Sequence, residues 1–291
     1  VYILPSERMI EDNIKIRNKH GDSDRPIIID CMMNTFTGAQ SLNEKDWKEV
    51  SPGMFLRQKK TGAGMVNRYF MWIGGKQIRM GRKSKFRSER KLKKPEELKD
   101  FEWTIVNCEN YYLRLPAGKK PKDFAVREPV MISGAAISGT SRNIVIRNVI
   151  LRDYWNDGLN IHNTAKGIVF ENTAALFCGD DGASSHNECE ATIRNFISIG
   201  NATGICHIGN AVTKHENVYI ARIDSRDLFL LSKENRLCNV YVDGSAPGPL
   251  EIRGVKNEPV TGRLENCLFL NRRQGNRIIL ASTLELHNLT G

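Results

Sequence analysis

The chain lacks any apolar run of the roughly 18 residues that a membrane-crossing helix needs, so a helical membrane span is excluded. Its seven cysteines, Cys31, Cys108, Cys178, Cys189, Cys206, Cys238 and Cys267, form no CxxC pair and no zinc-type spacing. Their odd number argues against a complete disulfide framework. Helix-period segments are missing too: the apolar runs are short, β-branched and broken by Gly and Asn, which excludes leucine-rich and helical repeats. Positive charge is scarce outside one stretch. Of the formal net charge of +10, +9 lies between Lys76 and Lys94, where ten Lys or Arg accompany the single acid Glu89, leaving +1 for the other 272 residues. From Asn143 to the end, 15 basic residues meet 16 acidic ones, so that region offers no nucleic-acid surface. The basic stretch has two readings, a patch that attracts nucleic acid or an acidic glycan and a solvated loop or ribbon, and the lack of a recognisable nucleic-acid fold favours the second. No nucleic-acid partner is expected, and nothing in the sequence speaks to oligomeric state. A starting Met is absent as well. Val1-Tyr2-Ile3-Leu4-Pro5 opens the chain, and the expectation is an upstream signal peptide that has been removed, hence a secreted or periplasmic protein.

What the sequence does have is a period. Asn148, Asn172, Asn195, Asn217, Asn239 and Asn266 follow one another at spacings of 24, 23, 22, 22 and 27. Repeats of this length mean stacked coils. Counting eleven and thirteen residues on from each Asn reaches mostly apolar positions, Cys206 and Ile208 among them. The twelfth and fourteenth include Asn160, Ser184, His207, Glu251, His162, His186 and Arg253. That alternation is a strand with one face in and one out. The fold class is therefore all-β, a parallel β-helix, right-handed by the general rule for parallel crossovers. Inward-facing Asn at a constant turn position would form a hydrogen-bonded ladder. Residues 1–31 are expected to form the first coil, 129–291 the remaining coils, and 32–128, where the period vanishes, a β-rich insertion. A hairpin is expected there, Trp103-Thr104-Ile105-Val106 returning through Tyr111 to Leu115. Residues 6–16 admit a helical alternative capped by Ser6.

Two Asp-Gly pairs stand in register. Asp157-Gly158 and Asp181-Gly182 lie 24 residues apart, each followed by a histidine, His162 and His186, and Asp180 precedes the second pair. Stacked coils bring equivalent positions to about 5 Å, so at least one of the carboxylates must hold a proton. A charged and a protonated carboxylate together are what acid/base cleavage of a glycosidic bond requires. Singly, Asp-Gly is a turn dipeptide; with Asp180, His162, His186 and His207 in one outward register it is a candidate site. Asn160, His162, Ser184, His186, Glu251 and Arg253 are expected to bind substrate. An insertion aromatic, Trp103, Tyr112 or Trp72, is expected to wall the site by stacking on sugar faces.

The runs Trp155-Asn156-Asp157-Gly158, Cys178-Gly179-Asp180-Asp181-Gly182 and Gly204-Ile205-Cys206-His207-Ile208-Gly209 resemble, in order and coil spacing, the Asn-Thr-Asp, Gly-Asp-Asp and Gly-His-Gly motifs of polygalacturonase-like inverting glycoside hydrolases. The opening coil likewise resembles that of secreted bacterial pectin-lyase-like proteins. The resemblance implies Asp180 as general acid, Asp157 and Asp181 as activators of the attacking water, and His207 as support for the acid. It also implies a polysaccharide or oligosaccharide substrate and no cofactor. Arg222-Ile223-Asp224 stands where the family has Arg-Ile-Lys; that Lys binds the uronate carboxylate in the family, so its absence points to a glycan other than galacturonan. Two alternatives stay open. One is a lyase or epimerase of the same fold, using His186 or His207 as base and Asp157, Asp180 and Asp181 as Ca²⁺ ligands. The other is a non-catalytic glycan-binding solenoid.

Overall fold

The computed structural model describes residues 1–62, 66, 68–79, 92–244, 246–254, 260–271 and 277–290. Positions 80–91, which hold most of the basic stretch, lie outside the described residues. The chain forms a parallel β-solenoid of about six turns. One turn shows how the sequence builds it. Leu159–Ile161 forms a short strand, the chain bends at Asn163, Lys166–Leu176 runs as a longer strand bent at Asn172, and Phe177 turns it into the next coil. The bending residues have left-handed backbone, φ 65, 52 and 57. An ordinary residue pays about 1–2 kcal/mol there, whereas Asn and Gly adopt it readily. Stacked corners repeat the choice: Asn18, Gly139, Asn163, Asn187 and Gly209 form one column, and Asp153, Phe177, Gly200 and Arg222 another.

The third column is the Asn ladder. Asn172 Nδ2 donates to Asn148 Oδ1 at 3.0 Å, and the pattern continues through Asn195, Asn217, Asn239 and Asn266 at 2.8 to 3.2 Å. It reaches one step beyond the sequence count, to Asn288, and starts on a carboxylate, with Asn148 donating to Asp30 Oδ1 at 2.9 Å. That bond, the Met32 amide and Arg147 hold the Asp30 carboxyl below its usual range. The ladder stands on the outer surface, not inward: Asn172, Asn195, Asn217, Asn239 and Asn266 are exposed. A residue at a left-handed corner points away from the coil axis, and the interior is left to columns such as Ile146, Phe170, Ile193, His215, Leu237 and Leu264, apolar but for the one histidine.

Asp30 also explains where the periodicity breaks. The strand Ile27–Thr37 belongs to the solenoid throughout, pairing with Arg142–Arg152 on both sides of a bulge. Met32 and Met33, φ 50 and 61, occupy the corner that one Asn serves elsewhere, so the first coil continues past residue 31. Residues 1–12 carry only isolated bridges, Tyr2 with Asp30 and Ile10 with Phe36, and no helix forms over 6–16. The excursion begins with Ala39–Ser41, which pairs antiparallel with Arg127–Pro129, and holds two antiparallel four-stranded sheets. The expected hairpin is present as Trp103–Val106 with Asn110–Arg114.

Asn217 accepts from Asn239 and donates to Asn195. Asn217→Ala removes both bonds, worth about 0.5–1.5 kcal/mol each, and places Ala at φ 56. A loss of about 2–5 kcal/mol in unfolding free energy is expected from denaturant titration. Asn217→Gly, which keeps the corner and loses only the ladder, should fall between that variant and the parent.

Candidate active site

The Asp-Gly pairs are not turns in the folded chain; they mark where strands enter the outer face under tight packing. Gly158, Gly182 and Gly204 stack in one column, and a Cβ on Gly182 would stand 2.2 Å from Ser198 Oγ and 2.5 Å from Gly204 O. Glycine is required on the inner side so that the preceding side chain can stand on the outer one. Leu159 pairs with Ala183 and Ala183 with Ile205, which stacks Asp157 and Asp181 two positions earlier. Asp180 comes from the connection Cys178-Gly179-Asp180, whose backbone is tied on both sides: Asp180 N–H donates to Asn156 O at 2.9 Å, and Asp180 O accepts from Ala202 and Thr203.

One oxygen from each of Asp157, Asp180 and Asp181 lies within 4.8 Å of the others, and all three residues are at most 3% exposed. They floor an open cavity of about 530 Å³. Asp157 accepts from Asn156 Nδ2 at 2.8 Å, from Asn160 Nδ2, and from the Asp181 amide at 3.1 Å. Burial, then the charges of Asp181 and Asp180, push its carboxyl well above the ordinary range. Asp180 Oδ2 meets Arg68 Nε at 2.7 Å, and Arg68 Nη1 donates to Asn156 Oδ1 at 2.6 Å.

Asn160, His162 and His186 line the cavity. The two imidazoles stack with centroids 4.6 Å apart, and Ser184 Oγ lies 2.5 Å from His186 Nε2, so Ser184 holds the ring from beneath. Desolvation lowers the His162 imidazole below its usual pKa. Glu251 and Arg253 do not reach the cavity. They form an ion-paired cluster beyond it, in which the buried Glu251 lies 2.9 Å from the exposed Arg253 and 3.6 Å from Arg226.

Two expectations are overturned. His207 faces the solenoid interior, fully buried and paired in register with Ser185 and Leu230. The reason is one residue of chain length: two residues separate the corner Gly200 from Thr203, whereas three separate Phe177 from Asp181, so a count from Asn195 is out of step by one. Cys206 takes the outward place, at the cavity wall, and Ile208 lines the cavity as well. Trp103 is buried in the core of the excursion with Tyr69 and Tyr111, its indole N–H donating to Ile78 O. Trp72 donates to Asp153 and packs on Phe177, again away from the cavity. The excursion does flank the site, but through Arg68. The aromatic wall is Phe229 of the solenoid, with the Arg226 guanidinium 4.0 Å above its ring. Arg226 shares the register of Asp181 and Thr203, and Phe229 that of Ser184 and Cys206, so both were within reach of the repeat count. Arg68 lies outside any periodic signal.

No protein-family model and no curated protein matches this sequence. Among solved structures, one described as the complex of XylC with xylose aligns with 91% of this chain at 13% identity and a TM-score of 0.48. This chain spans 64% of that protein's length, and the likeness is one of backbone path alone.

The buried pair His207 and His215, Nε2 to Nε2 at 2.9 Å, is held neutral by desolvation, with His215 lowered to about 4. A base whose folded pKa is depressed lends stability that is full above its unfolded value, about 6.5, and is lost as pH falls towards the folded one. From His215 alone this loss amounts to on the order of 3 kcal/mol by pH 4. The next coil places Leu230 and Leu237 at the two positions. The double variant His207→Leu/His215→Leu is therefore expected to fold and to show a flatter decline in denaturation midpoint between pH 6.5 and 4 than the parent.

Proposed function

We propose that this protein is a carbohydrate-active enzyme that hydrolyses glycosidic bonds of a polysaccharide or oligosaccharide in the cavity over Asp157, Asp180 and Asp181. The observation that carries this reading is that Asp157, whose pKa is raised by burial and by two neighbouring carboxylates, and an arginine-paired Asp180 share the floor of one open cavity. Asp157 is the general acid: crowded by two carboxylates and desolvated, it is the group that carries a proton to a leaving oxygen near neutral pH. Asp180, paired with Arg68, and Asp181 stand beside it to activate water and to stabilise the cationic character of the sugar in the transition state. This assignment exchanges the roles that the polygalacturonase resemblance implies for Asp157 and Asp180. Phe229 supplies a face for sugar stacking, and Asn160, His162 and His186 supply polar contacts.

The carboxylates stand closer together than the roughly 6.5–9.5 Å that accommodates a water between acid and base in inverting enzymes. Their spacing therefore lends no support to inversion, and the anomer first released is the readout that decides it. The donor set does not suit Ca²⁺. Asp157 accepts from three N–H donors and Asp180 faces a guanidinium, so a second cation would meet Arg68. The lyase reading loses His207 to the interior and retains only His186 as base.

On a panel of neutral and anionic glycans, the expected products are reducing ends without the ultraviolet absorbance of an unsaturated sugar. Asp157→Asn should lower kcat by about 10² to 10⁴-fold while substrate still binds, and should retain activity on aryl glycosides whose leaving group needs no proton. Asp180→Asn should lose activity on both. Unsaturated products from the parent enzyme, or full turnover in Asp157→Asn, would sink the assignment.

A further inference from the structure

Two arginines of the excursion converge on the connection that carries Asp180, and they hold it differently. Arg79 donates to the carbonyls of Cys178, Gly179 and Gly200 at 2.7 to 3.1 Å and is ion-paired with Asp224; Gln77 adds a bond to Phe177 O at 2.8 Å. These contacts fix backbone. Arg68 acts on side chains, meeting Asp180 Oδ2 at 2.7 Å and Asn156 Oδ1 at 2.6 Å, while Asn156 donates onward to Asp157 Oδ2 at 2.8 Å. Its own main chain rests on Gly179, where a Cβ would stand 2.1 Å from both Arg68 O and Trp155 O. Glycine at 179 is therefore what lets the excursion come this close.

A guanidinium in this place does more than pack. Carboxylates within 5 Å of one another share protons, and a cation against one member decides which of them keeps its charge. Among the described residues, the other cationic side chains around the cluster make contacts of their own: Arg79 pairs with Asp224, Arg226 reaches Glu251, and His162 and His186 stack on each other. We propose that Arg68 is a positioning residue that sorts charge within the cluster, holding Asp180 as its anionic member and so leaving the shared proton to Asp157. The several donors of one planar guanidinium explain why arginine serves here: Nε takes the carboxylate while Nη1 orients Asn156, and with it the amide that contacts Asp157. The chemistry of the solenoid face then depends on a side chain the solenoid does not supply.

The inference rests on the glycosidase reading only for its kinetic arm. The first measurement needs no substrate: carboxyl-¹³C aspartate NMR, titrated in the parent, Arg68→Lys and Arg68→Met. Removing an opposite charge at this distance moves a carboxylate's proton uptake by about 1–3 pH units. In Arg68→Met the cluster should take up its second proton that much higher, and in Arg68→Lys by less in the same direction. The second measurement is the pH dependence of turnover, whose acidic limb should move upward by the same amount. An unchanged titration in Arg68→Met, or in the likewise neutral Arg68→Gln should the first fail to fold, overturns the proposal whatever the substrate. So does a higher KM with kcat and the acidic limb unmoved, which would make Arg68 a substrate-binding group. A shifted titration in a protein that cleaves no glycan refutes the glycosidase reading and supports the charge sorting.

Discussion

Left-handed backbone at the stacked corners is the constraint from which the rest follows. Each coil closes because a few residues accept φ between about 50 and 75, and these are repeated in register by Asn or Gly in most coils. Once the corners stack, the strands between them repeat at the inter-strand distance of about 4.8 Å, and every outward side chain acquires a neighbour of fixed identity above and below. The Asn ladder satisfies its own amides this way, and its first rung ends on Asp30, a carboxylate suited to accept from the last donor. The same regularity forces Asp157 onto Asp181. Repulsion between them is therefore a product of the fold rather than of any local loop.

That repulsion is resolved by burial and by help from outside the repeat. Burial makes the charged form of Asp157 costly, and Asp180 meets its compensation in Arg68. The excursion that brings Arg68 has its own aromatic core around Trp103, Tyr69 and Tyr111, so it is a preformed body docked on the coils and not a loop draped over them. Its docking surface is polar: Arg79, Gln77 and Trp72 all donate to groups of the solenoid's second left-handed column or the connection that follows it. Corner carbonyls that turn outwards have no strand partner of their own, and here the excursion provides one.

Much of this was legible from residue order. The Asn spacing predicts the coils and the ladder because the same rung chemistry recurs, and the Asp157 and Asp181 register follows from it directly. His207 was misplaced because counting assumes equal connections, and the coil after Asn195 has one residue fewer where Ala202 and Thr203 both reach back to Asp180 O. The strand past Cys31 was missed because Met32 and Met33 share a corner that one Asn fills elsewhere. Trp103 was assigned to the wall on the chemistry of its ring, but burial is decided by the sheet on which a residue sits, and its sheet faces inwards. Arg68 had no period to reveal it. A contact between residues 112 apart in sequence is set by how two bodies dock.

Asp180 owes its place to length as much as to identity. Phe177 and Asp181 have three residues between them where Gly200 and Thr203 have two, and the spare residue is what lets a side chain emerge beside an already complete stack. Removing it would leave the paired strands, the ladder and the glycine column with the same partners. In a solenoid the corners tolerate such additions because the coil above and the coil below are joined by strands, not by the connection itself. Change of activity in this architecture is accordingly open to insertion and deletion along the connections, provided that the residue each one sends into the core, Tyr154, Cys178 or Ile223, keeps its place.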